Sequence, residues 1–265
     1  MNKDSGAGRL ADRVALVTGS ATGIGEAIAR LFVAEGATVV AAGLQDDRLS
    51  QLAGNYGIHP AHCDVTAERE VREVVATTVA QWGGLHVVVN AAGILMPDNV
   101  GDIQDECWSR MLDVNLTGAM RVCRAAIGAM ESAGGSIVNI ASVAAFNASA
   151  GMASYAASKA GVVALTRAIA NAYGPNGIRA NCLCPGWTRT PMSELEMEDN
   201  ARVNGTSVDA EFAKLTERIA LRRVASPDEI ARCALFLASD EASFVTGAVL
   251  VADGGARSPA AAKGF

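Results

Sequence analysis

Residues 14–32, VALVTGSATGIGEAIARLF, confine the chain to a narrow set of folds. A β-branched run ends on Thr18, glycines follow at Gly19, Gly23 and Gly25, and apolar residues then recur at three- and four-residue intervals. A strand that turns through glycine directly into a helix is the opening of a βαβ unit. Glycine lets the backbone approach a pyrophosphate, and the helix N-terminus adds unpaired N–H groups and a positive dipole end. The strand and helix context, more than the glycines alone, points to a dinucleotide. The spacing is G-x-x-x-G-x-G rather than G-x-G-x-x-G.

Six further short runs follow: Thr38–Ala42, Ile58–His62, Leu85–Asn90, Ser136–Ile140, Arg179–Cys184 and Ala248–Val251. Helical patterns lie between them, among them TAEREVREVVATTVAQWG, DECWSRMLDVNLTGAMRVCRAAIGAM and SYAASKAGVVALTRAIANAYG. Such alternation predicts an α/β fold, a doubly wound parallel sheet with helices on both faces and right-handed crossovers. The strands read as nearly continuous apolar runs, as strands covered on both faces should. With 265 residues, half of them hydrophobic and only 5% aromatic, the chain has material for one large core built from small side chains. No internal repeat or linker divides it. Residues 1–11 are expected to be a flexible leader, 12–256 the domain and 257–265 a tail. Residues 187–222 break the strand–helix rhythm and predict a substrate lid. Within it, the acidic run Glu194–Asp199 reads as a solvated helix face.

Net charge is −6 and no basic stretch offers a groove for phosphates, so no nucleic-acid partner is expected. The first residues lack a signal-peptide core and no apolar run approaches ~18 residues, which predicts no membrane anchor and a cytoplasmic location. The six cysteines show no metal or CxxC spacing and are expected to be buried, reduced thiols; no metal site is expected. The second strand ends on Gly43 and Leu44, where a ribose-binding carboxylate or a basic residue would be sought. Asp46 and Asp47 follow within reach, but equally suit the first turn of a helix. Arg48 reads as a surface residue.

In SYAASKAGV, residues 154–162, a phenol and an ammonium stand four residues apart among small neighbours. On a helix Tyr155 and Lys159 share a face, with side chains about 6 Å apart. A nearby cation favours the phenolate, and a shift of 2–3 units from a tyrosine's usual ~10 corresponds to about 3–4 kcal/mol, within reach of one close cation plus the charge of a bound nicotinamide. Such a tyrosine can take a proton from an alcohol and return it to a carbonyl. The plain alternative is an amphipathic helix with an interfacial tyrosine and a snorkelling lysine. Other elements tip the balance. Ser142 and Asn90, the latter opening Asn90-Ala91-Ala92-Gly93, fall at the carboxyl ends of strands, where doubly wound sheets bind ligands. Asn115 is an amide within an apolar helical pattern; alone, it reads as structural.

Taken in order, these elements resemble the short-chain dehydrogenase/reductase family. The matching residues are Thr18 to Gly25 (the family's T-G-x-x-x-G-x-G), Asp64-Val65, Asn90 to Gly93, Asn115, Ser142, Tyr155 and Lys159. Pro185-Gly186 with Thr188 and Thr190, and the ending SFVTGAVLVADGG, complete the series. The resemblance implies a single Rossmann-type domain with a seven-stranded parallel sheet. It implies Tyr155 as general acid/base and Lys159 as the group that lowers its pKa and holds the nicotinamide ribose. Ser142 would orient the substrate oxygen and Asn115 would hold a relay water. The cofactor would lie against Gly19, Thr22, Gly23, Ile24, Gly25, Leu44, Asp64, Val65, Asn90, Ala91, Ala92, Gly93, Pro185, Gly186, Thr188 and Thr190, beside Tyr155 and Lys159. Family members are usually tetramers that pair the helices bearing Asn115 and Tyr155, so a homotetramer is expected.

The chain departs from the family where Gly43 replaces the acidic residue usual with NAD, and where Leu44 and Thr22 replace basic residues usual with NADP. With no 2′-phosphate partner evident, NAD is the expected cofactor and NADP is not excluded. The expected substrate wall is Leu95, Met96, Ala144, Phe146, Asn147, Trp187 and Met192, beside Ser142 and Tyr155. Mostly apolar, it points to a hydrophobic or cyclic secondary alcohol or its ketone. The rivals are an NADPH-dependent 3-oxoacyl thioester reductase and a non-catalytic dinucleotide-binding scaffold.

Overall fold

Each residue of β1 (Val14–Thr18) is buried. Ala15 and Val17 enter one core and Leu16 the other, as a period-two strand covered on both faces requires. The computed structural model describes residues 8–256. The tail 257–265 and the first seven residues of the expected leader lie outside the described residues. Residues 8–11 do not behave as a leader. Leu10 is buried and its N–H donates to the Glu35 carbonyl, and Arg9 pairs with the Glu35 side chain. The packed domain therefore begins before the expected boundary at Asp12.

After β1 come α1 (Gly23–Ala34), β2 (Thr38–Gly43), α2 (Asp46–Tyr56), β3 (His59–His62), α3 (Glu68–Trp82) and β4 (Val87–Asn90). Next come α4 (Asp105–Leu112), a five-residue π-turn (Asp113–Thr117), α5 (Gly118–Met130), β5 (Gly135–Ile140) and α6 (Ala153–Tyr173). The chain closes with β6 (Ile178–Pro185), α7 (Pro191–Asn204), α8 (Val208–Thr216), α9 (Pro227–Ala238) and β7 (Val249–Ala252). The seven strands form one parallel sheet in the order β3-β2-β1-β4-β5-β6-β7.

One core packs α1 and α9 on the sheet through Ile28, Phe32, Ile230 and Leu235. The other packs α3, α5 and α6 through Val71, Val75, Val122, Ala126 and Ile169. The expectation of apolar, doubly covered strands fails at the edges. In β3, His59-Pro60-Ala61-His62 is largely exposed, and its proline suits a strand with one unpaired side. Strand order reverses between β1 and β4, which opens a crevice beyond their carboxyl ends.

The break at 187–222 is not an irregular loop. Thr190 caps α7, accepting the Ser193 N–H at 3.3 Å, with Pro191 in the first turn. Met197 and Phe212 are buried in α7 and α8 respectively. None of the described helices is long and apolar enough to cross a membrane. Four cysteines are buried; Cys107, against expectation, is exposed and Cys233 is half-buried. No group of three or more His, Cys, Asp or Glu among the described residues is placed to hold a metal.

Candidate active site

The glycine turn closes tightly on the neighbouring strand end. Gly19 has φ +65°, and a Cβ there would stand 2.6 Å from Ala92 Cα and N. A Cβ on Gly25 would meet the Gly19 carbonyl oxygen at 2.3 Å. A side chain is therefore excluded at Gly19 and Gly25, and the first turn of α1 lines the crevice, where helix N-terminal N–H groups lack intrahelical partners.

A cavity of about 510 Å³ fills this crevice. Of the residues expected at a cofactor it brings together Gly19, Thr22, Gly23, Ile24, Gly25, Leu44, Asp64, Val65, Ala91, Ala92 and Gly93. Tyr155, Lys159, Pro185, Gly186, Thr188 and Thr190 continue the same wall. Of those expected at a substrate it includes Ser142, Ala144, Asn147, Leu95, Trp187 and Met192. Four expected residues do not line it: Asn90, Met96, Asn115 and Phe146, the last half-exposed on the surface.

Asn90 is absent because it belongs to the sheet. Its register partner is Asn139, whose side-chain oxygen accepts from Asn90 Nδ2 at 2.7 Å, and Cys123 Sγ accepts at 3.2 Å. Asn139 in turn donates to Thr166 at 2.9 Å. The result is a buried polar chain between β4, β5 and α6, and Asn90 turns into it rather than toward the cavity. Asp46 does not reach the ribose side either. It lies 2.9 Å from His62 Nδ1 and is not part of the cavity wall.

Asn115 sits in the π-turn between α4 and α5, an irregularity common at functional sites. Its amide clamps Ile94 at both ends. Oδ1 accepts the Ile94 N–H at 2.8 Å, and Nδ2 donates to the Ile94 carbonyl at 3.0 Å and to Ser158 Oγ at 3.1 Å. The side chain is thus committed to the backbone of the cavity wall. Asp98 performs a parallel task at the start of α6, where its carboxylate accepts the Ser154 N–H at 3.2 Å and the Ser154 hydroxyl. That fixes the helix bearing Tyr155 to the loop after β4.

Tyr155 and Lys159 share a helix face as expected, with Lys159 Nζ 5.7 Å from the phenol-ring centroid. Lys159 is 5% exposed, donates to the Ile140 carbonyl at 3.0 Å, and forms no ion pair among the described residues. Burial pulls its pKa down to about 8. The expected lowering of the tyrosine pKa is not what the pair shows. Burial raises the phenol above its usual value; the hydrogen bond with Ser142 opposes the rise and the Glu196 carboxylate adds to it. Lys159 stands beside the ring and is drawn to Ile140, so its charge does not dominate at the hydroxyl. Ser142 Oγ accepts the Ala144 N–H at 3.1 Å, which leaves its own proton to donate to the phenol.

Two charged residues of the wall lie outside the expected set, Arg110 on α4 and Glu196 on α7. Thr190-Pro191, a cap followed by proline, held the signal for Glu196: it sets the phase of α7, so Met192, Ser193 and Glu196 share the inward face.

A family model described as enoyl-(acyl carrier protein) reductase matches residues 19–257. The 3-oxoacyl-(acyl-carrier-protein) reductase FabG of Thermotoga maritima is 38% identical over 253 residues, which cover 93% of this chain and 98% of that protein. The 3-alpha-(or 20-beta)-hydroxysteroid dehydrogenase of Mycobacterium bovis is 40% identical over 254 residues, covering 94% of this chain and 90% of that one. A crystal structure of actinorhodin polyketide ketoreductase with NADPH superposes with a TM-score of 0.88 at 33% identity, covering 94% of this chain and 98% of the other.

Proposed function

Because the chain belongs to the short-chain dehydrogenase/reductase family, and so to nicotinamide-dependent oxidoreductases of alcohols and ketones, we propose its finer assignment. It interconverts an apolar or cyclic secondary alcohol and its ketone, with NAD as cofactor. The observation that carries this reading is Lys159, an ammonium enclosed without a carboxylate partner beside Tyr155 in the glycine-lined cavity. Burying a cation without a counter-ion costs folding free energy. A packing role does not explain it, whereas a cofactor ribose and a reacting phenol do. For the same reason the non-catalytic scaffold is the weaker alternative.

The glycine turn and the first turn of α1 receive the pyrophosphate: Gly19 and Gly25 let the turn pack on the Ala92 backbone and on itself, and the helix N-terminus offers its unpaired N–H groups. When bound, the nicotinamide supplies the hydride acceptor for oxidation and the donor for reduction. Ser142 holds the substrate oxygen toward Tyr155, and Tyr155 Oη takes the alcohol proton or returns it to the carbonyl. Lys159 keeps a positive charge beside the phenol and donates to a ribose hydroxyl. Asn115 positions the Ile94 segment of the wall. NAD is favoured because Gly43, Leu44 and Gln45, the wall at the end of β2, carry no cation for a 2′-phosphate.

A homotetramer is part of the proposal. Ala157, Ala160, Ala164 and Ala168 form an exposed small-residue stripe on α6, which permits close helix pairing; sedimentation equilibrium tests it. The test of the reaction is a set of initial rates with NAD and NADP over cyclic secondary alcohols. Faster turnover with NAD is expected. Activity confined to small charged hydroxy acids would overturn the substrate class. The 38% identity to FabG favours a second reading, reduction of a 3-oxoacyl thioester with NADPH, and faster NADPH-dependent turnover of such a thioester would establish it.

A further inference from the structure

One group in the cavity has no part in this chemistry. Helix α7 turns Met192, Ser193 and Glu196 toward the chamber above Tyr155, and Glu196 is half-buried. Among the described residues its carboxylate makes no hydrogen bond and no ion pair. Burial holds its pKa above the ordinary carboxylate range, and its charge is close enough to Tyr155 to disfavour the phenolate. The wall's other non-catalytic charges lie apart from it: Arg110 acts on Asp64, at the cofactor end. A partly desolvated carboxylate without a donor is costly, and its sign hinders proton abstraction by the tyrosine below. Neither packing nor proton transfer accounts for its inward position.

We infer that Glu196 determines specificity: it accepts a hydrogen bond from a donor on the substrate, a second hydroxyl or an ammonium, away from the reacting carbon. It thereby rejects substrates that carry a carboxylate at that position. The inference rests on the reading of the cavity as an alcohol/ketone site and narrows its substrate class. The surrounding wall is otherwise short of charge. Leu95, Ala144, Met152, Trp187 and Met192 enclose the apolar body of such a substrate, and Glu196 is the one carboxylate that residues 187–222 contribute to the wall.

The experiment measures, by calorimetry on the NADH-saturated full chain, the binding of two non-reactive ring analogues, cyclohexylammonium and cyclohexanecarboxylate. The wild type should bind the ammonium at least about tenfold more tightly than the carboxylate. In Glu196→Gln, nearly isosteric, the ratio should fall to within about threefold. A ratio unchanged by the substitution, an equal or tighter carboxylate in the wild type, or binding of neither analogue overturns the inference. A second arm compares kcat/KM for cyclohexanol, 1,4-cyclohexanediol and 4-aminocyclohexanol in both proteins. A preference for the diol assigns the donor as hydroxyl, and one for the amino alcohol as ammonium; equal values for all three overturn the inference. Failure of the oxidoreductase reading looks different: no cofactor-dependent turnover of any alcohol, while the binding preference persists.

Discussion

The Lys159 ammonium stands 5.7 Å from the centroid of the Tyr155 ring and one hydrogen bond, 3.0 Å, from the Ile140 carbonyl. The lysine is thus held at the end of β5 and against the phenol by the same geometry. Its position joins the proposed proton carrier to the carboxyl end of β5, at the wall of the cavity. It also makes Lys159 a buried charge that the fold must carry whether or not catalysis takes place.

That cost is readable as a dependence of stability on pH. Burial lowers the Lys159 pKa from 10.5 to about 8. Below pH 8 the amine is protonated in both folded and unfolded chains, and the penalty is fully present. Between pH 8 and 10.5 the unfolded chain binds more protons than the folded one, so stability rises with pH, by roughly 3 kcal/mol across the window. Lys159→Met lacks this term. Thermal denaturation from pH 7 to 10.5 should show the wild-type Tm gaining on the variant as pH rises, and parallel curves would show the amine is not desolvated.

Gly19→Ala places a methyl 2.6 Å from the Ala92 backbone at a φ of +65°. The left-handed backbone alone costs an alanine about 1–2 kcal/mol, and the clash must also move one strand end. Calorimetric titration with NADH is expected to show an affinity at least ~10-fold weaker, together with a lower Tm. An unchanged affinity would mean the cofactor does not use this turn.

Asn115→Ala removes both partners of the Ile94 backbone. A buried amide or carbonyl left unpaired costs about 1–3 kcal/mol. Urea denaturation should therefore show a loss of at least ~2 kcal/mol. A loss below about 0.5 kcal/mol would show that solvent replaces the clamp without cost.

Much of this arrangement is legible in the residues. All seven expected strands are present within two residues of their expected ends: the five inner ones are buried or nearly buried apolar runs, and the edge strands β3 and β7 follow from the helical patterns that precede them. The glycine turn, Ser142, Tyr155 and Lys159 likewise meet at one cavity, since strand carboxyl ends and helix phase are local properties. What was not legible depends on tertiary direction. Asn90 belongs to a recognisable motif, yet its side chain follows the register with Asn139 into the sheet. Asp46 looked available for a ribose until β3 placed His62 against it. Glu196 reads as solvated within an acidic run, and only the packing of α7 over the crevice turns it inward. The upward shift of the tyrosine pKa was hidden for a related reason: helix spacing gives the proximity of Lys159, but not the burial that raises the phenol.

The most direct measurement compares Tyr155→Phe with the wild type for kcat on a cyclic secondary alcohol and for NADH affinity by calorimetry. Removing the phenolic proton carrier should lower kcat by at least about a hundredfold while leaving the Kd for NADH within about threefold. Turnover within tenfold of wild type, with the cofactor still bound, would show that the proton passes through another group.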